Sequence, residues 1–437
     1  MSEGLSPKER KDFDSMMKRA ASSASKRMFH PSFSFPTPDS LDAMIDALKQ
    51  YGIEGVCFSA CALGASKTIR FASRMGETDL KTLNLDTNAI GQSGAAAVFK
   101  KLCETKIETV SVANNNLPEK AGRAVLQGLQ TSHVTSLDVT NNPLGDAFVT
   151  GLADVLKQKD MKSLTLSHIM MTEKSAETLA KAIKTGGLAS LDISRNALSA
   201  RGVHSIIKAL PETPLKRLNV MTTGLNESEA DFLIATLPDT RITDVAFSVS
   251  ERPSDKFTEK LYAYLEHPSC RLENANISLP RQSGYETNRL HKALETMRSN
   301  ARTRIFFQNL AARNANNDAP ADITLQQALD TGVLKQALDN RRNAGKPLSA
   351  EECFRSVGYA QTPFLIYAAE AEMLPLLFSS GNWKDPKEMQ KVWNALPEEH
   401  RWQMDGKKGR PLFQREKNEV TRKSLTAVLA AKKGKSR

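Results

Sequence analysis

The chain is 437 residues long, 40% hydrophobic and 25% charged, with a formal net charge of +11. That length exceeds what one hydrophobic core organises, so more than one folded unit is predicted. No stretch approaches the roughly 18 consecutive apolar residues that span a bilayer, and the N-terminus lacks the apolar core of a secretory signal.

Residues 1–28 are rich in Ser and basic side chains and read as a flexible leader, ending near the Pro31, Pro36 and Pro38 cluster. Ser40 to Lys49 has helical spacing, with Met44 and Leu48 one 27-residue period before Phe71 and Met75. Residues 29–52 therefore form an atypical first unit, a cap for whatever follows.

From Ile53 the sequence repeats every 27 residues, with units opening at Ile53, Leu80, Ile107, Val134, Met161, Leu188, Leu215 and Ile242. Apolar residues hold position four (Leu83, Val110, Leu137, Leu164 in central units) and position six (Leu85, Val112, Val139, Leu166), with a polar residue between. That alternation is the mark of a short strand buried on one face and open on the other. An apolar residue at position eleven, such as Ile90, Leu117 or Leu144, is followed by turn residues Gly91, Pro118 and Gly145. Helical spacing then takes over, as in Val203, Ile206, Ile207 and Leu210. Each unit reads strand, turn, helix, and a fixed period of this length means stacked units sharing a continuous core. A barrel or doubly wound sheet would bury its strands on both faces and make them continuously apolar, which positions two, three and five contradict.

Position nine carries Cys61, Asn88, Asn115, Asn142 and Asn196. The pattern Leu80, Leu83, Leu85, Asn88, Ile90 resembles the leucine-rich repeat, in its ribonuclease-inhibitor-like form, shared in outline with Ran GTPase-activating proteins and with repeat domains of bacterial effectors. The resemblance implies an α/β horseshoe solenoid over residues 29–280, a parallel sheet on one side and helices on the other. An Asn at this place both donates to and accepts from backbone groups left unpaired where the strand turns away. The pattern lapses at Ile169, Thr223 and Ser250, where the ladder is expected to weaken. About three extra residues precede Leu272, which opens a further strand.

After residue 281 the rhythm stops and helical patterning predicts an α-helical C-terminal domain, 281–437. Expected helices are Thr287 to Arg313, Thr324 to Asn340, Thr362 to Phe378, Lys387 to Leu396 and Pro411 to Ala431. Thr362-Pro363-Phe364-Leu365 and Gly409 to Phe413 resemble the openings of degenerate ankyrin repeats. Residues 401–437 hold twelve Lys and Arg against Asp405, Glu416 and Glu419, so most of the positive excess is a basic tail. It can contact a polyanion, but its closing run Lys432, Lys433, Lys435, Arg437 has no aromatic interleaving for stacking on a nucleic acid.

Chemistry is sparse. The histidines lie outside any metalloprotease, nucleophile-elbow or phosphate-loop motif. Cys57, Cys61, Cys103, Cys270 and Cys353 form no zinc-ligand pairs and read as reduced thiols of a reducing, cytosolic compartment. No cofactor or metal is expected, and Cys353 beside His400 is the nearest approach to a catalytic thiol pair. The open strand face is the candidate interaction surface, short and polar at positions three and five and without aromatic anchors. Its candidate partner-binding residues are Asp138, His168, Asp192, Arg195, Lys216, Arg217, Asn219 and Met221. The expected function is non-enzymatic binding of a protein partner. The Ser-rich leader joined to such repeats and an ankyrin-like end resembles bacterial effectors secreted without a cleaved signal into a host cell, which implies a host protein as partner. The alternatives are an enzyme with its site in the helical domain and a Ran-type GTPase activator, whose acidic tail is here replaced by a basic one.

Overall fold

The computed structural model describes residues 15, 17–22, 28–30, 38–267, 270–280 and 284–312, with short pieces at 356–357, 362–363, 390 and 394–396. Contacts divide the chain into two units, Met1–Leu265 with Asn274–Ala293, and Glu266–Glu273 with Leu294–Arg437.

In the first unit ten strands form one sheet in strict sequence order, every neighbour parallel. They are β1 (Met28–Phe29), β2 (Gly55–Cys57), β3 (Thr82–Asn84), β4 (Thr109–Ser111), β5 (Ser136–Asp138), β6 (Ser163–Thr165), β7 (Ser190–Asp192), β8 (Arg217–Val220), β9 (Asp244–Ser248) and β10 (Asn274–Ser278). The register is the sequence period: Val110 pairs with Leu137, Leu137 with Leu164 and Leu164 with Leu191. At the last pair the offset grows from 27 to 30, Asn274 facing Asp244, which absorbs the extra residues before Leu272. The capping unit also has a strand, β1, at Met28–Phe29, paired with Gly55 and Val56.

Between strands run α1 (Pro38–Gln50), α2 (Gly64–Arg74), α3 (Gly91–Lys101), α4 (Gly122–Thr131), α5 (Gly145–Gln158), α6 (Glu173–Ala182), α7 (Ser199–Ala209), α8 (Glu227–Thr236) and α9 (Asp255–Glu266). Position four and position six side chains are buried throughout, Leu83, Leu137, Leu164 and Leu191 being at most 1% exposed. The helices complete this core from their own side with Phe71, Phe99, Phe148, Leu152, Leu179, Ile206 and Leu233, all buried. Adjacent helices pack closely enough that a Cβ on Gly128 of α4 would lie 2.2 Å from the Phe99 carbonyl oxygen of α3. The result is the expected α/β horseshoe solenoid, a sheet with helices on one side and residues of its other side left partly accessible.

The long helix α10 (Gly284–Ala312) begins close to the predicted Thr287. Further on, Ser356–Val357 pairs antiparallel with Thr362–Pro363, so the helix expected to open at Thr362 does not start there. Proline at 363 explains why, since it favours extended backbone in the residue before it. Residues 390, 394 and 395 are helical. The leader before residue 15, the remainder of the ankyrin-like segments, Cys353, His400 and the basic tail lie outside the described residues.

Candidate interaction face

Each strand leaves the sheet through a turn whose backbone demands are repeated from rung to rung. Counting rungs from Ile53, position eight adopts positive φ in seven successive rungs: Ala60 (56°), Thr87 (57°), Asn114 (55°), Asn141 (54°), His168 (53°), Arg195 (55°) and Thr222 (55°). Only Gly, and to a lesser degree Asn, enters this region without cost, so Asn114 and Asn141 suit their place and the others are held there by the neighbouring ladder. That ladder is buried asparagine. Asn115 Oδ1 accepts from the N–H of Asn88 (3.0 Å) and Ile90 (3.3 Å), and its Nδ2 donates to the carbonyls of Leu85 (2.9 Å) and Ala113 (3.0 Å). Asn142 repeats the arrangement for Asn115 and Leu117, and Asn196 for Ile169 and Met171, both 3.1 Å.

The lapses act one rung upstream of where the sequence shows them. Rung five has Ile169 in place of Asn, yet its own N–H is well paired to Asn196; what is lost is the acceptor that Ile169 should offer to Asn142. Likewise, at rung seven Thr223 turns its hydroxyl to donate to Val220 O at 2.7 Å and offers nothing to Asn196.

The candidate residues fall into three places. Asp138 on β5 and Asp192 on β7 occupy position five, half-buried on the open face. Asp138 Oδ1 accepts from Thr140 N–H at 2.8 Å. Burial pushes the Asp138 carboxyl above the usual carboxylate range; hydrogen bonds from Thr140 oppose this, and the charges of Asp86 and Asp192 add to it. Asp192 accepts from Ser194 N–H (2.9 Å) and from Asn219 Nδ2 on the next strand (2.8 Å). Lys216 and Arg217, at the other end of β8, are exposed, and Arg217 Nε donates to Ser190 Oγ at 3.3 Å. Met221 is half-buried at position seven, where its sulfur meets Asn276 Nδ2 at 3.5 Å.

His168 and Arg195 are brought together at position eight of adjacent rungs, both exposed. They line a shallow depression of about 710 Å³ with Asn196, Ala197, Ser199, Thr222, Thr223 and Gly224. The sequence pointed to the two long side chains but not to the other six, whose signal was the broken Asn pattern at Thr223. It also passed over Met170, which is 64% exposed at position ten. Among the described residues none of the eight candidates joins an ion pair.

Away from this face, Cys61 is buried in the ladder place of rung one, and burial, with the neighbouring Cys57 second, pushes its thiol up to about 11. Such a thiol is a poor nucleophile. Among the described residues no group of three or more His, Cys, Asp or Glu is placed to hold a metal ion, and no helix is long and apolar enough to cross a membrane.

Residues 131–147 match a protein-family model described as "Leucine Rich repeat". No curated protein matches the chain. Among solved structures, the "Leiomodin-1 Actin-Binding Site 2 (ABS2)" is similar at 13% identity and a TM-score of 0.29, over 44% of this chain and 95% of that one. The matched segment runs from the end of one helix through β5 to the start of the next, and the same register continues on both sides of it. The fold is that of a leucine-rich-repeat horseshoe solenoid, with one such repeat matched at residues 131–147.

Proposed function

We propose that the protein is a non-enzymatic interaction module that binds a protein partner on the open face of its sheet, with Asp138, Asp192, Asn219, Lys216, Arg217 and Met221 on that face and His168 and Arg195 on its rim. The observation that carries this reading is a set of charged side chains on the open face and its rim, Asp138, Asp192, Arg195, Lys216 and Arg217, none of which joins an ion pair in the described residues. Charges so placed select a complementary surface and speed encounter with it. The absence of aromatic anchors on positions three and five points to an interface of moderate affinity.

A photo-cross-linking side chain placed at Thr165 or Asn219 on the face, and at Gln127 on the helical side, tests the proposal in the full-length protein. The same partner should be captured from both face positions and not from Gln127. Capture from Gln127 alone would refute the reading. The finer reading, an effector that meets a host protein, is supported by the composition of the leader. It predicts that removing residues 2–30 abolishes export. The enzymatic alternative predicts covalent modification or nucleotide turnover when the purified full-length chain is incubated with lysate.

A further inference from the structure

The sheet ends on β10, which pairs with β9 on one side; among the described residues no strand pairs with its other side. Along a strand the N–H and C=O of one residue point to one neighbour, and those of the next residue point the opposite way. Asn274 N–H donates to Thr243 O, and Ser278 O accepts from Val249 N–H, both at 3.1 Å. Asn274, Asn276 and Ser278 therefore turn their backbone groups to β9, while Ala275 and Ile277 aim two N–H groups and two carbonyls away from it. Among the described residues none of these four groups has a hydrogen-bond partner. Ala275 is only 6% and Ile277 9% exposed, and backbone groups of residues so little exposed are ordinarily paired. Free edges are usually blunted by shortness, a charge or a proline. At the opposite end of the sheet β1 is two residues long. By contrast β10 runs for five residues, Asn274, Ala275, Asn276, Ile277 and Ser278, with no charge and no proline among them.

We propose that this edge docks β10 of a second copy of the chain, the two strands running antiparallel about a two-fold axis at Asn276. In that register Ala275 and the second copy's Ile277 exchange both N–H···O bonds, and Ile277 does the same with the second copy's Ala275. All four orphaned groups on each strand are then satisfied. The axis stands perpendicular to the sheet, so buried face continues into buried face and open face into open face. On the buried side Ala275 lies against the larger Ile277 of the other strand. On the open side Asn274 meets Ser278, and Asn276 meets its own counterpart as a close, non-hydrogen-bonded pair with Cα atoms about 4.5 Å apart. Within the five residues no charge meets a like charge. An extended segment of another protein satisfies the same backbone groups, but the fit of this segment to itself, residue against residue, is what a two-fold interface requires. The proposal does not depend on the interaction-module reading, because pairing at the edge leaves the open face accessible.

Sedimentation velocity of the full-length protein in reducing buffer, over roughly 5 to 500 μM, reads the association. The contact is small for a protein interface, so half-dimerisation is expected on the order of 100 μM. Asn276 is exposed, and substitutions there leave the core untouched. Asn276→Lys and Asn276→Glu each set like charges against one another at the axis and should weaken association roughly fivefold. An equimolar mixture of the two variants should associate at least as well as the unaltered chain. In a background without native cysteines, Asn276→Cys should give a disulfide-linked dimer with oxidised glutathione. Asn274→Cys should not, since its counterpart lies about 14 Å along the other strand. A chain that stays monomeric to about 500 μM, a dimer that neither charge variant weakens, or a mixture no stronger than its components would overturn the proposal. So would a folded Asn276→Cys variant that stays monomeric under oxidation. A photo-cross-linking side chain at position 276 that captures a different protein, in a chain that does not self-associate, would assign the edge to another protein's strand and overturn the second copy as its occupant.

Discussion

Replacing Asn115 with Ala asks most of the ladder. Asn115 is fully buried; its side chain serves two N–H groups, those of Asn88 and Ile90, and two carbonyls, those of Leu85 and Ala113. Alanine leaves both donors without an acceptor in a place that secondary structure cannot re-pair. Each buried orphan costs about 1 to 3 kcal/mol. The carbonyls are less demanding, since under-satisfied acceptors are better tolerated. A loss of about 3 to 5 kcal/mol is therefore expected, with a water entering the vacated space setting the lower end. Because a stack of repeats can open locally, the assay is amide hydrogen exchange read residue by residue, beside a denaturant titration. Exchange should quicken most at Asn88 and Ile90 and least at rungs six to eight. A stability loss below about 1 kcal/mol, or exchange that quickens evenly along the chain, would refute the view that these side chains hold the rungs together.

Three further outcomes follow from the same geometry. Leu137→Ala, at a side chain 1% exposed, should cost about 2 to 5 kcal/mol, whereas Ser136→Ala on the open face should stay within roughly 0.5 kcal/mol; equal denaturation midpoints would show the facing to be wrong. Thr87 is a β-branched residue at φ 57°, and Thr87→Asn should stabilise by up to about 1 kcal/mol, extending the surface pair in which Asn141 Nδ2 donates to Asn114 Oδ1; an unchanged or lower midpoint counts against strain at position eight. The Asp138 carboxyl titrates higher in the folded protein than in the unfolded chain, so folding favours its protonated form and wild-type stability falls as pH rises through the folded value. Asp138→Asn keeps the oxygen that accepts from Thr140 and should be the more stable protein at pH 7, the difference closing below about pH 4; a variant less stable at neutral pH would contradict this.

The repeat was legible because burial imposes its own period. Positions four and six must be apolar in every rung, so Val110, Leu137 and Leu164 announce both the strand and the direction it faces. Asn88, Asn115 and Asn142 were equally readable, since a buried amide serving a repeated turn leaves few substitutes. What escaped was whatever depends on the next rung rather than on the residue itself. The break at Thr223 was visible in the sequence, but that it removes an acceptor from Asn196, one rung upstream, requires the stacking. Positive φ at Ala60, Thr87, His168 and Arg195 left no mark, because only two of the seven positions carry the Asn that would signal it. The first strand, at Met28–Phe29, was hidden by its length of two residues. The early strand at Thr362 was masked by a helical pattern that its own proline interrupts.

The central claim is that residues recurring every 27 positions stack in register and leave one sheet face free. Spin labels at Asn84 paired in turn with Ser111, Thr165 and Asn219, in a background without native cysteines, test it most directly by pulsed dipolar spectroscopy. The account predicts mobile labels on all four residues and separations that grow by about 4.8 Å per rung, reaching roughly 24 Å for the pair five rungs apart. Immobilised labels, or separations that do not increase with rung number, would contradict it.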